Sequence, residues 1–282
     1  MLKPRKLRLL AGWEARRVIG LRSSATEASV SLDLGLSTTL CKLTPEALVV
    51  KDVSVGWNEL ERMADSPEDV YVLGGRVRRL GWFDQRYYRL VLPKWGHAPT
   101  VEIDGIRMHR TVGVPPEVDA AQKVQLIPSL RNKTVLDICT GLGYTSTALL
   151  ERGVARVLTV EKDFNVLRMA SYNPWSRALF SDERVDVVNA DAVNFLSSCG
   201  EAFDSVVHDP PTIKMAGELY SLEFYRMVAS VLKKGGYLVH YVGQPGFSRG
   251  HRVYVGVMDR LRRAGFRPQY VAEARCVRAV KV

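Results

Sequence analysis

The hydrophobic and polar positions follow one rhythm up to about Arg110 and another beyond it. In the first part, short apolar runs alternate with polar and turn residues, which is typical of half-buried β-strands. The strands predicted there are Val30–Leu36, Ala47–Val55, Val70–Leu73 and Tyr87–Leu92, with a hairpin over Thr100–His109. The same pattern predicts a short helix at Val55–Asp65, and a helix or a flexible arm at Met1–Arg22.

Beyond Pro115, apolar strands alternate with amphipathic helices. The predicted strands are Thr134–Ile138, Arg156–Val160, Val185–Asn189, Phe203–His208, Gly236–Tyr241, Gln269–Ala272 and Cys276–Lys281. The predicted helices are Glu117–Ile127, Thr145–Arg152, Phe164–Ser171, Ala192–Leu196, Leu219–Leu232 and His251–Ala264. Such alternation indicates a parallel sheet covered on both faces. We therefore predict a Rossmann-like, seven-stranded, doubly wound α/β domain at 113–282, after a smaller, mostly β domain at 1–112.

The composition excludes several classes of protein. Hydrophobic residues make up 46% of the chain and charged residues 25%, as in folded globular proteins. No apolar run approaches the roughly 18 residues of a membrane span. The N-terminal stretch is basic, but Glu14, Arg16 and Arg17 interrupt its apolar run, which argues against a signal peptide. The four cysteines are far apart and indicate neither a zinc site nor a disulfide framework, so we expect a cytoplasmic protein without a metal.

The formal net charge of +10 points to a polyanionic partner, although basic surfaces also occur on thermophile proteins. The N-terminal part interleaves arginines with aromatic residues, which suits RNA because cations contact phosphates and rings stack on bases. The alternative is an ordinary β domain with solvated arginines and core aromatics. The basic residues concerned are Arg76, Arg78, Arg79, Arg86, Arg89, Arg107, His109 and Arg110, and the aromatic ones are Trp82, Phe83, Tyr87, Tyr88 and Trp95.

A glycine-rich segment and two later acids suggest a nucleoside site. Asp137–Gly143 follows the first strand of the second part, where Gly141 and Gly143 allow a tight turn and close approach of the backbone to a ligand. Glu161 ends the next strand, where a carboxylate suits a ribose diol. Asp191 follows the third strand and is placed to accept a hydrogen bond from an adenine amino group.

This order of residues, followed by Asp209-Pro210-Pro211, resembles the class I S-adenosylmethionine-dependent methyltransferases. The resemblance implies S-adenosyl-L-methionine as cofactor and S-adenosyl-L-homocysteine as product. The cofactor contacts it implies are Asp137, Thr140, Gly141, Gly143, Tyr144, Glu161, Lys162, Asp191, Ala192 and Asp209. The rival is a nicotinamide dehydrogenase, which is disfavoured because Ser146 stands where its fingerprint needs a third glycine.

Asp209-Pro210-Pro211 follows the fourth strand, where prolines end the ladder because they lack an N–H donor. A structural reading is a strand terminator. The motif also resembles that of methyltransferases acting on planar amino nitrogens, which implies Asp209, Pro210 and Pro211 as catalytic residues. Positioning and electrostatics would then carry the reaction. Thr212 departs from that motif, which has an aromatic residue there, so base stacking would require another ring.

The whole constellation resembles a family of archaeal predicted methyltransferases, which implies methylation of ribosomal RNA at the N4 amine of cytidine. RNA is the expected partner, and the oligomeric state is left open. The expected substrate contacts are His109, Arg110, Thr212, Lys214, Tyr220, Tyr241 and Gln244.

Other functions are compatible with the same residues. One is a protein glutamine or small-molecule N-methyltransferase, and another is an RNA-binding protein that keeps a methyltransferase fold. An aminopropyltransferase shares the sheet and uses a related cofactor, but a chain of net charge +10 is a poor host for a polycationic amine. A C5 methyltransferase would need a nucleophilic cysteine near the fourth strand, where the chain has Asp209.

Overall fold

The computed structural model describes residues 2–243 and 253–282, and the chain divides into two compact units. One unit comprises the chain up to Pro116 together with Arg168–Arg177. The other comprises Glu117–Leu167 and the described chain from Ala178 onward. The sequence pattern gave no sign that Arg168–Arg177 belongs with the first unit. The predicted division into 1–112 and 113–282 stays a proposal.

The first unit is mostly β-structure. Its strands are β1 Arg8–Ala11, β2 Glu27–Val30, β3 Thr39–Leu43, β4 Ala47–Val50, β5 Val53–Gly56, β6 Val70–Leu73, β7 Arg78–Arg79, β8 Gly81–Asp84, β9 Arg86–Val91, β10 Thr100–Ile103 and β11 Ile106–Arg107. They form three antiparallel sheets in the orders β1-β6-β7, β2-β3-β4-β5 and β11-β10-β9-β8. Its helices are α1 Gly12–Ile19 and α2 Trp57–Ala64.

Several predicted strands of this unit differ in the structure. The predicted strand Ala47–Val55 is a hairpin of β4 and β5, because Lys51 takes a left-handed φ of 53° and Val50 pairs with Val53. The predicted strand Val30–Leu36 is wrong beyond Val30, since Leu34 has a φ of 58° in a turn. Met1–Arg22 is neither a flexible arm nor all helix, because β1 pairs with β6 before α1 begins.

Helices α1 and α2 bury apolar side chains at helical spacing. Leu60 and Met63 of α2 and Val18 of α1 are fully buried in one hydrophobic core. Each such side chain contributes about 1.5–3 kcal/mol when removed from water. Gly12 begins α1 where a Cβ atom would lie 2.3 Å from the Ser66 carbonyl oxygen, so only glycine fits this position.

The second unit contains the larger sheet. Its strands are β12 Thr134–Ile138, β13 Arg156–Glu161, β14 Val185–Asn189, β15 Phe203–His208, β16 Leu232–Tyr241, β17 Phe266–Val271 and β18 Cys276–Lys281. The helices from Pro116 onward are α3 Pro116–Gln125, α4 Tyr144–Glu151, α5 Phe164–Tyr172, α6 Arg177–Ser181, α7 Ala192–Ser198, α8 Leu222–Val231 and α9 Val253–Arg263. Short 3₁₀ segments lie at Pro174–Ser176, which belongs to the first unit, and at Gly217–Tyr220.

The seven-stranded sheet has the order β14-β13-β12-β15-β16-β18-β17. Its first five strands are parallel, and β18 is antiparallel to both β16 and β17. This arrangement confirms the predicted Rossmann-like fold class with a smaller β unit before it. The chain reverses its direction across the sheet between β12 and β15, and ligands of such sheets bind at the carboxyl edge beside that point.

Element boundaries shift where local hydrogen bonds override the apolar pattern. The predicted helix Leu219–Leu232 begins only at Leu222, because the Ser221 hydroxyl accepts a hydrogen bond from the Phe224 N–H at 3.0 Å. Strand β16 begins at Leu232, four residues before the predicted Gly236. In the described ranges, no helix is long and apolar enough to cross a membrane.

Candidate active site at the carboxyl edge of the sheet

The glycine-rich turn joins β12 to α4 at the carboxyl edge. Gly141 and Gly143 have φ angles of 56° and 80°, so both use the left-handed conformation that glycine adopts without strain. Cys139 also has a positive φ, of 71°, which is rare for a residue with a side chain. Backbone hydrogen bonds from Cys139 and Thr140 to the Val160 carbonyl tie the turn to the neighbouring strand. The turn therefore presents backbone and the start of α4 to the sheet edge.

Asp137, near the end of β12, connects the elements around this turn by hydrogen bonds. It is fully buried, and its Oδ2 accepts hydrogen bonds from the Ser146 hydroxyl at 2.6 Å and the Thr159 hydroxyl at 3.0 Å. Its Oδ1 is buried with no hydrogen-bond partner among the described residues. Burial raises the pKa of Asp137 to about 7. Direct contact of Asp137 with a cofactor stays a prediction.

Two further strand-end acids have backbone partners. Glu161 accepts hydrogen bonds from the N–H groups of Gly141 at 3.0 Å and Asp163 at 2.9 Å, while burial raises its pKa. Asp191 caps α7 by accepting from the Val193 N–H at 2.9 Å. The exposed Lys162 lies 3.9 Å from the Asp191 carboxylate. Both acids lie at the predicted edge, and their ribose and adenine contacts stay predictions.

The other residues predicted to contact the cofactor lie in the same region. Thr140 is buried, with its hydroxyl 2.6 Å from that of Thr159. Tyr144 is buried at the first position of α4, and Ala192 is buried at the first position of α7. The fold therefore gathers all the predicted cofactor positions near the ends of β12, β13, β14 and β15.

Asp209 follows β15 and forms a buried ion-pair cluster. The Lys123 ammonium lies 2.6 Å from Oδ2 of Asp209 and 2.7 Å from Oδ2 of Asp119. It also lies 4.1 Å from the ring centroid of Tyr241, a cation–π distance. Burial by itself lowers the pKa of Lys123, but the carboxylates of Asp209 and Asp119 raise it above its ordinary value. The ammonium is therefore charged although its side chain is only 5% exposed.

Asp119 and Lys123 were not predicted as site residues. A signal was present, because an acid and a lysine four residues apart lie on α3 beside the apolar residues Ala120 and Val124. Charged residues are rarely buried unless they are paired. What the spacing does not show is that Asp209, 86 residues further along the chain, completes the cluster.

Aromatic and imidazole rings pack against one another at the ends of β15 and β16, next to Asp209 in the chain. His208 and His240 stack with centroids 4.4 Å apart, and the Tyr225 hydroxyl lies 3.1 Å from Nε2 of His240. Burial lowers the pKa of His240 to about 3, so this imidazole is neutral. His208 is buried too, and neither of its ring nitrogens has a hydrogen-bond partner within the described ranges.

The predicted catalytic and substrate residues after β15 differ in how far they are buried and held. Pro210 is buried, and the Tyr220 hydroxyl donates to the Pro211 carbonyl at 2.9 Å, which fixes the turn after Asp209. Thr212 and Lys214 are exposed on the following segment. The substrate contacts of Thr212, Lys214, Tyr220 and Tyr241 all stay predictions.

Of the other predicted substrate contacts, two belong to the first unit and one is outside the described residues. His109 and Arg110 belong to the first unit, where Nδ1 of His109 lies 2.8 Å from the Thr100 hydroxyl. Gln244 lies outside the described residues. Across 2–243 and 253–282, no three His, Cys, Asp or Glu side chains are arranged to hold a metal ion.

The arrangement can activate a nitrogen nucleophile. Oδ2 of Asp209 is taken by Lys123, whereas Oδ1 has no hydrogen-bond partner in the part of the chain that the structure describes. The Asp209 N–H donates to the Ile138 carbonyl at 3.2 Å, which places this residue beside the start of the glycine-rich turn. An open carboxylate oxygen next to a nucleoside site can accept a proton or a hydrogen bond from an attacking amine.

Residues 121–257 match the family model of the spermine/spermidine synthase domain. The uncharacterized protein MJ1233 of Methanocaldococcus jannaschii is 40% identical over 271 residues, covering 93% of this chain and 92% of that protein. The polyamine aminopropyltransferase of Thermoplasma volcanium is 30% identical over 115 residues, covering 40% of this chain and 42% of that protein. The chain thus spans less than half the length of that aminopropyltransferase.

Solved structures show the same fold. A spermidine synthase in complex with the transition-state analogue AdoDATO has a TM-score of 0.57 and 18% identity, covering 74% of this chain and 77% of its own. A putative S-adenosylmethionine-dependent methyltransferase from Streptococcus mutans has a TM-score of 0.50 and 13% identity, covering 73% of this chain and 58% of its own. At these identities the likeness concerns the fold alone.

The match over 121–257 contradicts the predicted family of ribosomal RNA methyltransferases, and with it cytidine N4 methylation and RNA as the partner. The match also contradicts the predicted role of S-adenosyl-L-methionine as a methyl donor, because the spermidine synthase family uses decarboxylated S-adenosylmethionine as an aminopropyl donor. The alternatives of protein glutamine and small-molecule methylation receive no direct support. The physical reason is that Gly141, Glu161 and Asp191 were matched to the adenosyl part of a sulfonium, which methyl and aminopropyl donors share.

The enzyme prediction holds at the coarser level of a transferase with this fold. The long match to MJ1233 covers nearly all of both proteins, whereas the match to the synthase domain covers residues 121–257, which include strands β12 to β16. The chain therefore belongs to the same family as MJ1233, and its residues 121–257 match a spermine/spermidine synthase domain.

Proposed function

We propose that this chain is a polyamine aminopropyltransferase that uses decarboxylated S-adenosylmethionine as its donor. The observation that carries the proposal is the match of residues 121–257 to the spermine/spermidine synthase domain. That range contains the glycine-rich turn, Glu161, Asp191 and the Asp119–Lys123–Asp209 cluster except for Asp119. The acceptor is a polyamine such as putrescine or spermidine.

The donor is a sulfonium, and its adenosyl part suits the edge formed by β12, β13 and β14. Gly141 and Gly143 leave room for close approach of the backbone, and Glu161 is placed to hold a ribose diol. The Glu161 carboxylate is held by two backbone N–H groups. This keeps it oriented before the donor arrives, which reduces the cost of binding.

The transfer step is a displacement at carbon. The lone pair of the acceptor nitrogen forms a C–N bond to the methylene carbon attached to sulfur. The C–S bond breaks, its electron pair goes to sulfur, and the sulfonium becomes a neutral thioether. The nitrogen loses one proton, and Oδ1 of Asp209 is the oxygen placed to accept it. Holding amine and sulfonium in line supplies most of the remaining acceleration.

The local charge of the site corrects the argument that disfavoured this function in the sequence analysis. A net charge of +10 is a property of the whole surface. Binding of an amine depends on the charges within a few ångströms, since ions further apart than about 8–10 Å are screened at physiological salt. The cluster around Asp209 has two carboxylates and one ammonium, and therefore one net negative charge.

The test is incubation of the purified chain with decarboxylated S-adenosylmethionine and either putrescine or spermidine, followed by mass spectrometry. We expect a product heavier by one aminopropyl group, together with an equal amount of 5′-methylthioadenosine. Parallel reactions contain S-adenosyl-L-methionine with the same amines and with unmodified RNA. Methyl transfer in those reactions, without aminopropyl transfer from the decarboxylated donor, would overturn the proposal.

A further inference from the structure

The side chain of Lys123 reaches the carboxylate that the proposed reaction uses. Lys123 projects from α3, Asp209 follows β15, and Tyr241 ends β16, so three separate elements converge on one ammonium. The ammonium contacts both carboxylates at 2.6–2.7 Å and the Tyr241 ring at 4.1 Å. Its side chain and that of Asp119 are about 95% buried, whereas Asp209 remains 22% exposed.

This geometry gives the two oxygens of Asp209 different surroundings. Oδ2 is fixed by a short charge-assisted hydrogen bond, the stronger kind. Oδ1 has no hydrogen-bond partner within the described ranges. A carboxylate held at one oxygen cannot rotate freely, so the direction in which Oδ1 points is set by Lys123.

Asp119 has a different part in the cluster. It lies one helical turn before Lys123 on α3 and contacts the same ammonium from its own helix. A buried ammonium needs more than one partner to offset the loss of hydration. Asp119 supplies the second carboxylate, so that the lysine stays charged and its side chain keeps one conformation.

We infer that Lys123 is a positioning residue for the transfer step, which holds Oδ2 of Asp209 so that Oδ1 faces the acceptor nitrogen. This inference rests on the proposed aminopropyl transfer. The Lys123 side chain is only 5% exposed, so we assign it no direct contact with donor or acceptor. It acts in the transition state through Asp209, and its loss therefore lowers kcat and leaves the KM for the amine nearly unchanged.

The experiment compares Lys123→Met, Lys123→Arg and the double variant Asp119→Asn/Lys123→Met. Lys123→Met leaves two carboxylates without their cation. The double variant keeps the net charge of the cluster at one negative charge, as in the natural chain, but lacks the hydrogen bond to Oδ2. Lys123→Arg keeps a cationic donor in the same place.

We expect both variants that lack the ammonium to lose about 100-fold in kcat, a loss that a misplacement of about 1 Å can cause. The KM for the amine should change by less than about threefold. Lys123→Arg should recover part of the lost kcat. If Lys123→Met does not fold, the double variant carries the test, because it leaves no uncompensated buried pair of carboxylates.

Three results would overturn the inference: natural kcat in Lys123→Met, natural kcat in the double variant, or a raised KM with unchanged kcat. The second would mean that the lysine only balances charge. Absence of aminopropyl transfer by the natural chain would instead refute the proposed function. In that case, crystal structures of the natural chain and the double variant decide: the positioning role fails if Asp209 keeps its place within about 0.5 Å.

Discussion

At the scale of single residues, the site depends on how each acid is surrounded. Asp209 has one oxygen held and one open, Glu161 is held by backbone N–H groups, and Asp137 has a buried oxygen without a described partner. These three carboxylates have the same chemistry in the sequence. Their burial and partners differ, and we propose correspondingly different tasks: proton acceptance for Asp209, ligand holding for Glu161 and support of the turn for Asp137.

Asp209→Asn tests the proton acceptor. The amide is nearly isosteric with the carboxylate but is a poor base, so we expect kcat for aminopropyl transfer to fall by about 10²–10⁴-fold. Donor binding, measured by calorimetry with decarboxylated S-adenosylmethionine, should stay within about threefold because Asp209 is not needed to hold the adenosyl part. Full turnover by this variant would show that another group accepts the proton.

Asp137→Asn tests the pH dependence of stability. Because the pKa of Asp137 is raised to about 7, the folded chain keeps a proton that the unfolded chain releases near pH 4. Stability from this group is therefore complete below about pH 4, declines as pH rises to about 7, and is constant above that, a loss on the order of 4 kcal/mol.

Asparagine does not titrate, so the decline should be absent in that variant. Urea unfolding at a series of pH values between 4 and 8 measures the free energy of unfolding of the natural chain and of the variant. The assignment fails if the two chains show the same slope of unfolding free energy against pH.

At the scale of elements, turns and caps decide where the apolar patterns are interrupted. The left-handed Lys51 divides one predicted strand into β4 and β5, and the Ser221 cap delays the start of α8. The hairpin at Asp104-Gly105 was correctly predicted, because an Asp-Gly pair accepts positive φ at both positions. Apolar residues therefore predict which face of an element is buried, whereas turn and cap residues predict where the element ends.

Gly12→Ala tests the close contact at the start of α1. The added methyl group would lie 2.3 Å from the Ser66 carbonyl oxygen and 2.5 Å from that of Met63, so backbone must move. Overpacking of this kind costs about 1–3 kcal/mol. Gly56→Ala is the matched control, because Gly56 precedes α2 and a methyl group added there would meet no atom within 4 Å. Equal unfolding midpoints for the two variants would contradict the contact.

At the scale of the whole molecule, the chain combines a net charge of +10 with a buried acidic cluster. If the acceptor is a polyamine, as we propose, the overall charge repels it over long distances, whereas the carboxylates attract it only nearby. Salt weakens the long-range repulsion more than the attraction at the site, because close and partly buried charges are screened little.

We therefore expect kcat/KM for spermidine to rise as salt is increased from about 20 to 200 mM, since screening relieves long-range repulsion. Steady-state kinetics at fixed pH measures this, with the shorter diamine putrescine as the control, for which the rise should be smaller. A fall in kcat/KM with salt for both amines would mean that local attraction dominates the encounter.

Periodicity alone determined the Rossmann-like sheet, because alternating strands and helices have few ways to bury their apolar faces. It also located the glycine-rich turn, Glu161, Asp191 and Asp209, since strand ends are recognisable in the pattern. The resemblance of these residues to methyltransferases misjudged the transferred group, because an adenosyl sulfonium site has the same strand-end residues whichever carbon is attacked. Only the tertiary structure joined Asp119 and Lys123 to Asp209. A contact across 86 residues depends on how α3 packs beside β15, and local sequence carries no record of that packing.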